Sequence, residues 1–336
     1  MVSKVGQYLR LIRPYGMLFL GFAPVFGAVA GGVTQGSTLW LLFVLGMLYH
    51  VFTFVLNDVI DVGVDARSRY VAARPLLEGG VTRLMAVVLV FLSLASLLIV
   101  AGVTGSVLTF VFVVVAVSCS AAYNLWSKQA AFLEYVLGFG VFSLVLAGTF
   151  AGHGSLTTVA FDVAVAFLLQ WVFSVGIAAN LKDVEEDTKQ GVFTSPTVLG
   201  VNFASDRVVL PYGFQLYAWL ISVSYILMLG NVFYEGLLNG FIGGVPVAWI
   251  GFVIIMVGLF WTTWKILQGP SPSRDAFLRY AGLHEGLALL LVPMTLLTLL
   301  LSAIGVTMTV LVFVVIAAWP LAWFRFLYGP RLIPLE

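Results

Sequence analysis

The sequence predicts an all-α fold, a polytopic bundle of transmembrane helices, and three observations carry that prediction. Apolar residues make up 61% of the 336 and charged residues only 9%, with a mean hydropathy of +1.09. Soluble domains carry about a quarter charged residues. Apolar runs of spanning length recur from one end of the chain to the other, so residues 1–336 read as a single membrane domain. The few ionic residues gather in alternate connections between those runs.

A spanning helix needs about 20 mostly apolar residues. Runs of that kind fall at 15–33, 38–57, 83–103, 106–125, 132–150, 159–180, 208–229, 241–264, 281–301 and 305–324, ten in all. Pro24, Gly138, Gly140, Pro246 and Pro293 lie inside them, as membrane helices tolerate. The first run ends in Ala28-Val29-Ala30, which mimics a leader cleavage site, but it reads as an uncleaved span. With the N-terminus inside, all 16 Lys and Arg fall on one side and the five opposite loops hold none. The positive-inside rule makes that side cytoplasmic. Nine spans would strand Arg325 and Arg331 on the other side. Net charge is +1 with no basic arm, which gives no footing for nucleic acid, and the lone Cys119 excludes an intrachain disulfide.

The long polar connections follow the second and sixth spans, and each begins with an acidic cluster. Asn57, Asp58, Asp61 and Asp65 end the second span; Asn180, Asp183 and Asp187 end the sixth. Steps of three and four put each set on one helical face. Helix carbonyls at a C-terminal end already carry partial negative charge, so added acids call for an offsetting cation. Four crossings separate the clusters, so both point the same way. This suggests parallel four-helix repeats, about 15–130 and 131–265, followed by helices over 281–324. Glu185 and Glu186 are expected to point elsewhere as solvated residues, and Asp162 and Glu235 to be solvated or interfacial on the opposite side.

Aspartates without His or Cys form hard oxygen sites suited to magnesium, which keeps several waters and shares carboxylates with substrate phosphates. Arg67, Arg69, Arg74, Lys128 and Lys182 share the membrane face of the clusters and complete a phosphate clamp. No G-x-x-x-x-G-K loop is present. A diphosphate held at the membrane surface with its hydrophobic tail inside fits these features, and an allylic isoprenoid diphosphate is such a molecule. Its C–O bond ionises to a carbocation that aromatic rings can shield.

The pattern N-D-x-x-D-x-x-x-D at 57–65, followed by Arg74-Pro75-Leu76 and Gly79, resembles the first signature of UbiA-type intramembrane prenyltransferases. Asp183-x-x-x-Asp187, Gly191 and the 197–200 stretch resemble their second, and Arg13-Pro14, Tyr123 and Lys128 match further landmarks. The resemblance implies a bundle of usually nine spans around a central cavity open to lipid, to which the tenth run here is an addition. It implies Mg2+-dependent transfer of a prenyl group from its diphosphate to a lipophilic or aromatic acceptor. Carried over residue by residue, Asn57, Asp58, Asp61 and Asp65 form the first metal site, and Asp183 and Asp187 with Asn180 the second. Arg74, Lys128 and Lys182 hold the diphosphate beside Tyr123, with Arg13 and Arg69 as further candidates. One aspartate takes the acceptor's proton.

Two other functions compete. A CDP-alcohol phosphotransferase wants D-x-x-D-G-x-x-A-R, but Val62 follows Asp61 and the second cluster lies over a hundred residues away. An ion-coupled transporter wants acids at mid-membrane, and these lie at one edge. His50 reads as a hydrogen-bonded core histidine, and His284 and Glu285 as residues near the inner end of span nine, with Glu285 a candidate for the cavity wall. No Trp or Phe is assigned a substrate role, and 269–273 reads as an inner turn.

Overall fold

The computed structural model describes residues 4–66, 74–104, 106–204, 207–235, 247–270 and 274–328. Chain order begins with α1 (Lys4–Ile12), a short turn over Pro14–Gly16 and α2 (Met17–Ala30). Then come α3 (Gly36–Asp65), α4 (Arg83–Val103), α5 (Val107–Trp126), α6 (Glu134–Thr149) and α7 (Thr158–Trp171). A π-helical stretch, Val172–Ala179, carries α7 without interruption into α8 (Asn180–Gln190). After the one-turn α9 (Ser195–Val198), β1 (Asn202–Ala204) and β2 (Arg207–Val209) form an antiparallel hairpin. The chain ends with α10 (Tyr212–Glu235), α11 (Val247–Ile266), α12 (Arg274–Thr295) and α13 (Leu297–Tyr328).

Eight helices among the described residues are long and apolar enough to cross a membrane. The sixteen-residue α6 is apolar but short, and α12 carries the polar Arg274–Glu285 segment. α13 breaks at Gly305, whose φ of 75° and ψ of 172° suit a residue without a Cβ. Phe313, just past the break, packs with Phe233 and Ala248 at the ends of α10 and α11 away from the acidic clusters. Trp319 and Leu327 reach the N-terminal segment at the other side of the bundle. The chain therefore reverses at Gly305, and α12 and the second part of α13 correspond to the ninth and tenth predicted spans.

The centre of the bundle is α2, flanked by α3, α6 and α7 and buried along nearly its whole length. Ala28, Val29 and Ala30 are buried in this core. Lipid offers no hydrophobic drive for helix association, so close packing through small residues takes over. Gly46 of α3 abuts the Leu20 carbonyl and Gly148 of α6 abuts the Pro24 carbonyl, leaving no room for a Cβ at either position. Hydroxyls staple the contacts: Thr109 donates to the Ala147 carbonyl at 2.8 Å, and Tyr225 to the Ala288 carbonyl at 2.7 Å. Asp162 of α7 is buried rather than solvated, and Asn231 of α10 donates to it at 2.5 Å. His50 is buried, stacked on Phe54 at 4.3 Å and set against the backbone of Ile12 and Arg13.

Candidate functional site

Both acidic clusters end at one cavity, whose empty volume is ≈ 1050 Å³ including its open mouth. α3 supplies Asn57, Asp61 and Asp65, and the π-helix with α8 supplies Asn180, Lys182, Asp183 and Asp187. Arg13, Arg74, Tyr123 and Lys128 complete the polar wall, so eleven of the thirteen residues singled out in the sequence meet here. Phe54, Leu137, Trp171 and Val175 form an apolar wall deeper in the same space. Arg69, with Arg67, lies outside the described residues.

Asp58 is the remaining one and takes a different place. It is 3% exposed, does not line the cavity, and accepts from Arg13 at 2.6 Å and Arg74 at 3.2 Å. One residue step from Asn57 turns its side chain about 100° around the helix, toward the arginines. In this arrangement its carboxylate holds the two arginines in place. Arg74 also pairs with Asp65, bridging two turns of α3. Asn57 donates to Asp61 at 2.9 Å, and the Arg13 guanidinium lies over the Phe54 ring at 5.4 Å.

Across the cavity, Lys182 pairs with Asp183 at 3.3 Å. Arg274, at the start of α12, reaches the same carboxylate at 3.0 Å and also donates to the Lys182 carbonyl. Lys128 lies within electrostatic range of Asp61, Asp65, Asp183 and Asp187, so one cation serves both clusters. Asp61 and Asp187 likewise sense each other across the space. Glu186 lines the cavity, contrary to expectation, because three residues beyond Asp183 is only about 60° around the helix. Glu185 is turned outward to Lys189, at 2.7 Å.

Several participants escaped the sequence reading. Arg274 is distant in sequence from both motifs, and its only signal was its membrane face. Asn124 is buried, lines the cavity and donates to the Thr53 carbonyl at 3.1 Å. The π-helix, a form frequent at functional sites, leads directly into the acidic start of α8. Glu134 is buried at the start of α6 and accepts from Ser195, whose Oγ in turn accepts the Phe132 N–H at 3.1 Å. That staple ties the loop after α8 to the bundle. Glu285 accepts from Ser174 of the π-helix and is not part of the cavity wall. His284 stacks on Phe173 at 4.3 Å and contacts Thr262 at 3.0 Å.

No three carboxylate, His or Cys side chains converge closely enough among the described residues to hold a metal alone. The donor set is instead oxygen-rich and split between two walls, which fits a cation shared with a bound phosphate and water.

The sequence model of the UbiA prenyltransferase family matches residues 17–283. A 4-hydroxybenzoate octaprenyltransferase of Polaromonas sp. is 30% identical over 228 residues, covering 66% of this chain and 78% of that protein. A digeranylgeranylglyceryl phosphate synthase of Thermococcus sibiricus is 22% identical over 272 residues, covering 79% and 88%. Among solved structures, a UbiA homolog from Aeropyrum pernix K1 superposes with a TM-score of 0.66 at 14% identity, covering 84% of this chain and 96% of that one. A UbiA homolog from Archaeoglobus fulgidus bound to GPP and Mg2+ gives 0.61 at 16%, covering 89% and 100%. The chain belongs to the UbiA prenyltransferase family, a class of intramembrane prenyl-transferring enzymes.

Proposed function

We propose that this protein transfers a prenyl group from an allylic prenyl diphosphate to a lipophilic or aromatic acceptor, and that its cavity opens on the cytoplasmic face. The carrying observation is a single cavity with cations and carboxylates at its mouth and aromatic and aliphatic side chains deeper in. Arg13, Arg74, Lys128 and Lys182 bind the diphosphate oxygens. Phe54 and Trp171 receive the start of the hydrocarbon chain. As the C1–O bond breaks, its electron pair leaves with the diphosphate, whose growing charge the four cations stabilise. The faces of Phe54, Tyr123 and Trp171 shield the allylic cation until the acceptor's nucleophilic atom bonds to C1. A cavity-lining aspartate then takes the acceptor's proton.

Asn57, Asp61 and Asp65 on one wall and Asn180, Asp183 and Asp187 on the other are the residues that would hold Mg2+. When bound, it supplies charge neutralisation to the departing diphosphate. The named activities of two relatives, on 4-hydroxybenzoate and in digeranylgeranylglyceryl phosphate synthesis, suggest an aromatic acid and a glycerol-phosphate ether lipid as first acceptors. The test is diphosphate release from labelled geranylgeranyl diphosphate with Mg2+ and each acceptor. Release should require Mg2+ and fall by at least about a hundredfold in Asp61→Ala and in Asp183→Ala. Undiminished release in both variants would overturn the assignment.

A further inference from the structure

Residues 306–328 lie beyond the stretch that the family model matches, and none of them lines the cavity. Their last turns nevertheless end on the segment that carries Arg13. Trp319 Nε1–H donates to the Pro14 carbonyl at 2.6 Å. The Phe324 ring stacks on Tyr15 with centroids 4.5 Å apart, and Tyr328 meets Tyr15 edge-on at 6.2 Å. Arg10 lies over the Tyr328 ring at 5.3 Å and donates to the Leu327 carbonyl at 3.4 Å.

The need for such an anchor follows from the backbone. Arg13 has φ 49° and ψ 59°, the left-handed region that residues with a side chain rarely adopt. A conformation of that kind persists only where neighbours over-determine it. Pro14 has no N–H, so the turn has one fewer donor with which to hold itself. The turn's product is the position of the Arg13 guanidinium, 2.6 Å from Asp58 and at the cavity wall.

We propose that the C-terminal helix is the anchor that presents Arg13 to the diphosphate, with Trp319 and Phe324 as positioning residues. This rests on the cavity's being the prenyl diphosphate site. Freed from Trp319 and Phe324, the turn samples other conformations, and affinity falls by the fraction of time the guanidinium is away.

The experiment measures Mg2+-dependent binding of geranyl diphosphate to the full-length protein, with steady-state kinetics alongside. Trp319→Phe keeps an aromatic ring and loses the N–H; it should weaken binding about two- to tenfold, the worth of one hydrogen bond. KM for the prenyl diphosphate should rise while kcat and the acceptor's KM stay put. In an Arg13→Ala background, Trp319→Phe should cost nothing further. Phe324→Leu, which removes the stack and spares the hydrogen bond, should behave the same way and serves if Trp319→Phe does not fold. Full additivity with Arg13→Ala, or a lowered unfolding midpoint with unchanged affinity, would overturn the positioning role. Absence of Mg2+-dependent binding in the unsubstituted protein would instead overturn the reading of the cavity, and this inference with it.

Discussion

Arg74, on the cavity wall, pairs at once with Asp58 and Asp65. Both contacts are made by one guanidinium nitrogen, Nη1, so the rest of the planar fork can face a phosphate, whereas an ammonium is a single point charge. Arg74→Lys is therefore expected to weaken geranyl diphosphate binding about tenfold, and Arg74→Ala about a hundredfold, read by titration calorimetry; a lysine variant equal to the wild type would refute the bridging role. Residue by residue, legibility followed locality. Asp61, Asp65, Asp183 and Asp187 share faces because of their spacing along one helix, so sequence alone could group them. Asp58, seven positions before Asp65, shares that spacing, and its distinct partners follow from tertiary placement of Arg13 and Arg74. Arg274 reaches Asp183 from a helix over ninety positions away, a contact that no local pattern encodes.

At the scale of elements, hydrophobic length located the spans, but packing set their precise relations. Gly46 and Gly148 sit where α3 and α6 touch the backbone of α2. Gly148→Ala should destabilise the protein by about 1–3 kcal/mol, since the added methyl meets the Pro24 carbonyl rather than a yielding side chain. Gly102→Ala, in α4 with nothing within 4 Å of the new methyl, should be neutral or mildly stabilising because alanine favours the helix. Unfolding midpoints in one detergent compare the two directly, and equal midpoints would contradict the close-packing argument. The π-helix was not legible at all. Val172–Ala179 is a plain apolar run, and within it Ser174 donates to Glu285 of α12 while Gly176 lies close against the Glu134 side chain, contacts that only the tertiary fold brings together.

For the whole molecule, the distribution of charge predicts an orientation that packing alone does not. Every Lys and Arg falls on the side of the acidic clusters when ten crossings are counted, and cytoplasmic loops hold such an excess. The reversal at Gly305 returns Arg325 to that side, so ten crossings and one-sided charge support each other. The expectation can be read with cysteines, because Cys119 is the sole native one and can be replaced by alanine. Gln129→Cys, in the exposed turn after α5, and Ser155→Cys, exposed in the connection between α6 and α7, then report on opposite faces. With a membrane-impermeant maleimide on intact cells, Ser155→Cys should label at once and Gln129→Cys only after the membrane is permeabilised. The reverse order would place the cavity mouth on the outside, where a diphosphate made in the cytoplasm could not reach it directly. Equal labelling of both before permeabilisation would mean that the segment between them does not cross, and would remove α6 from the count.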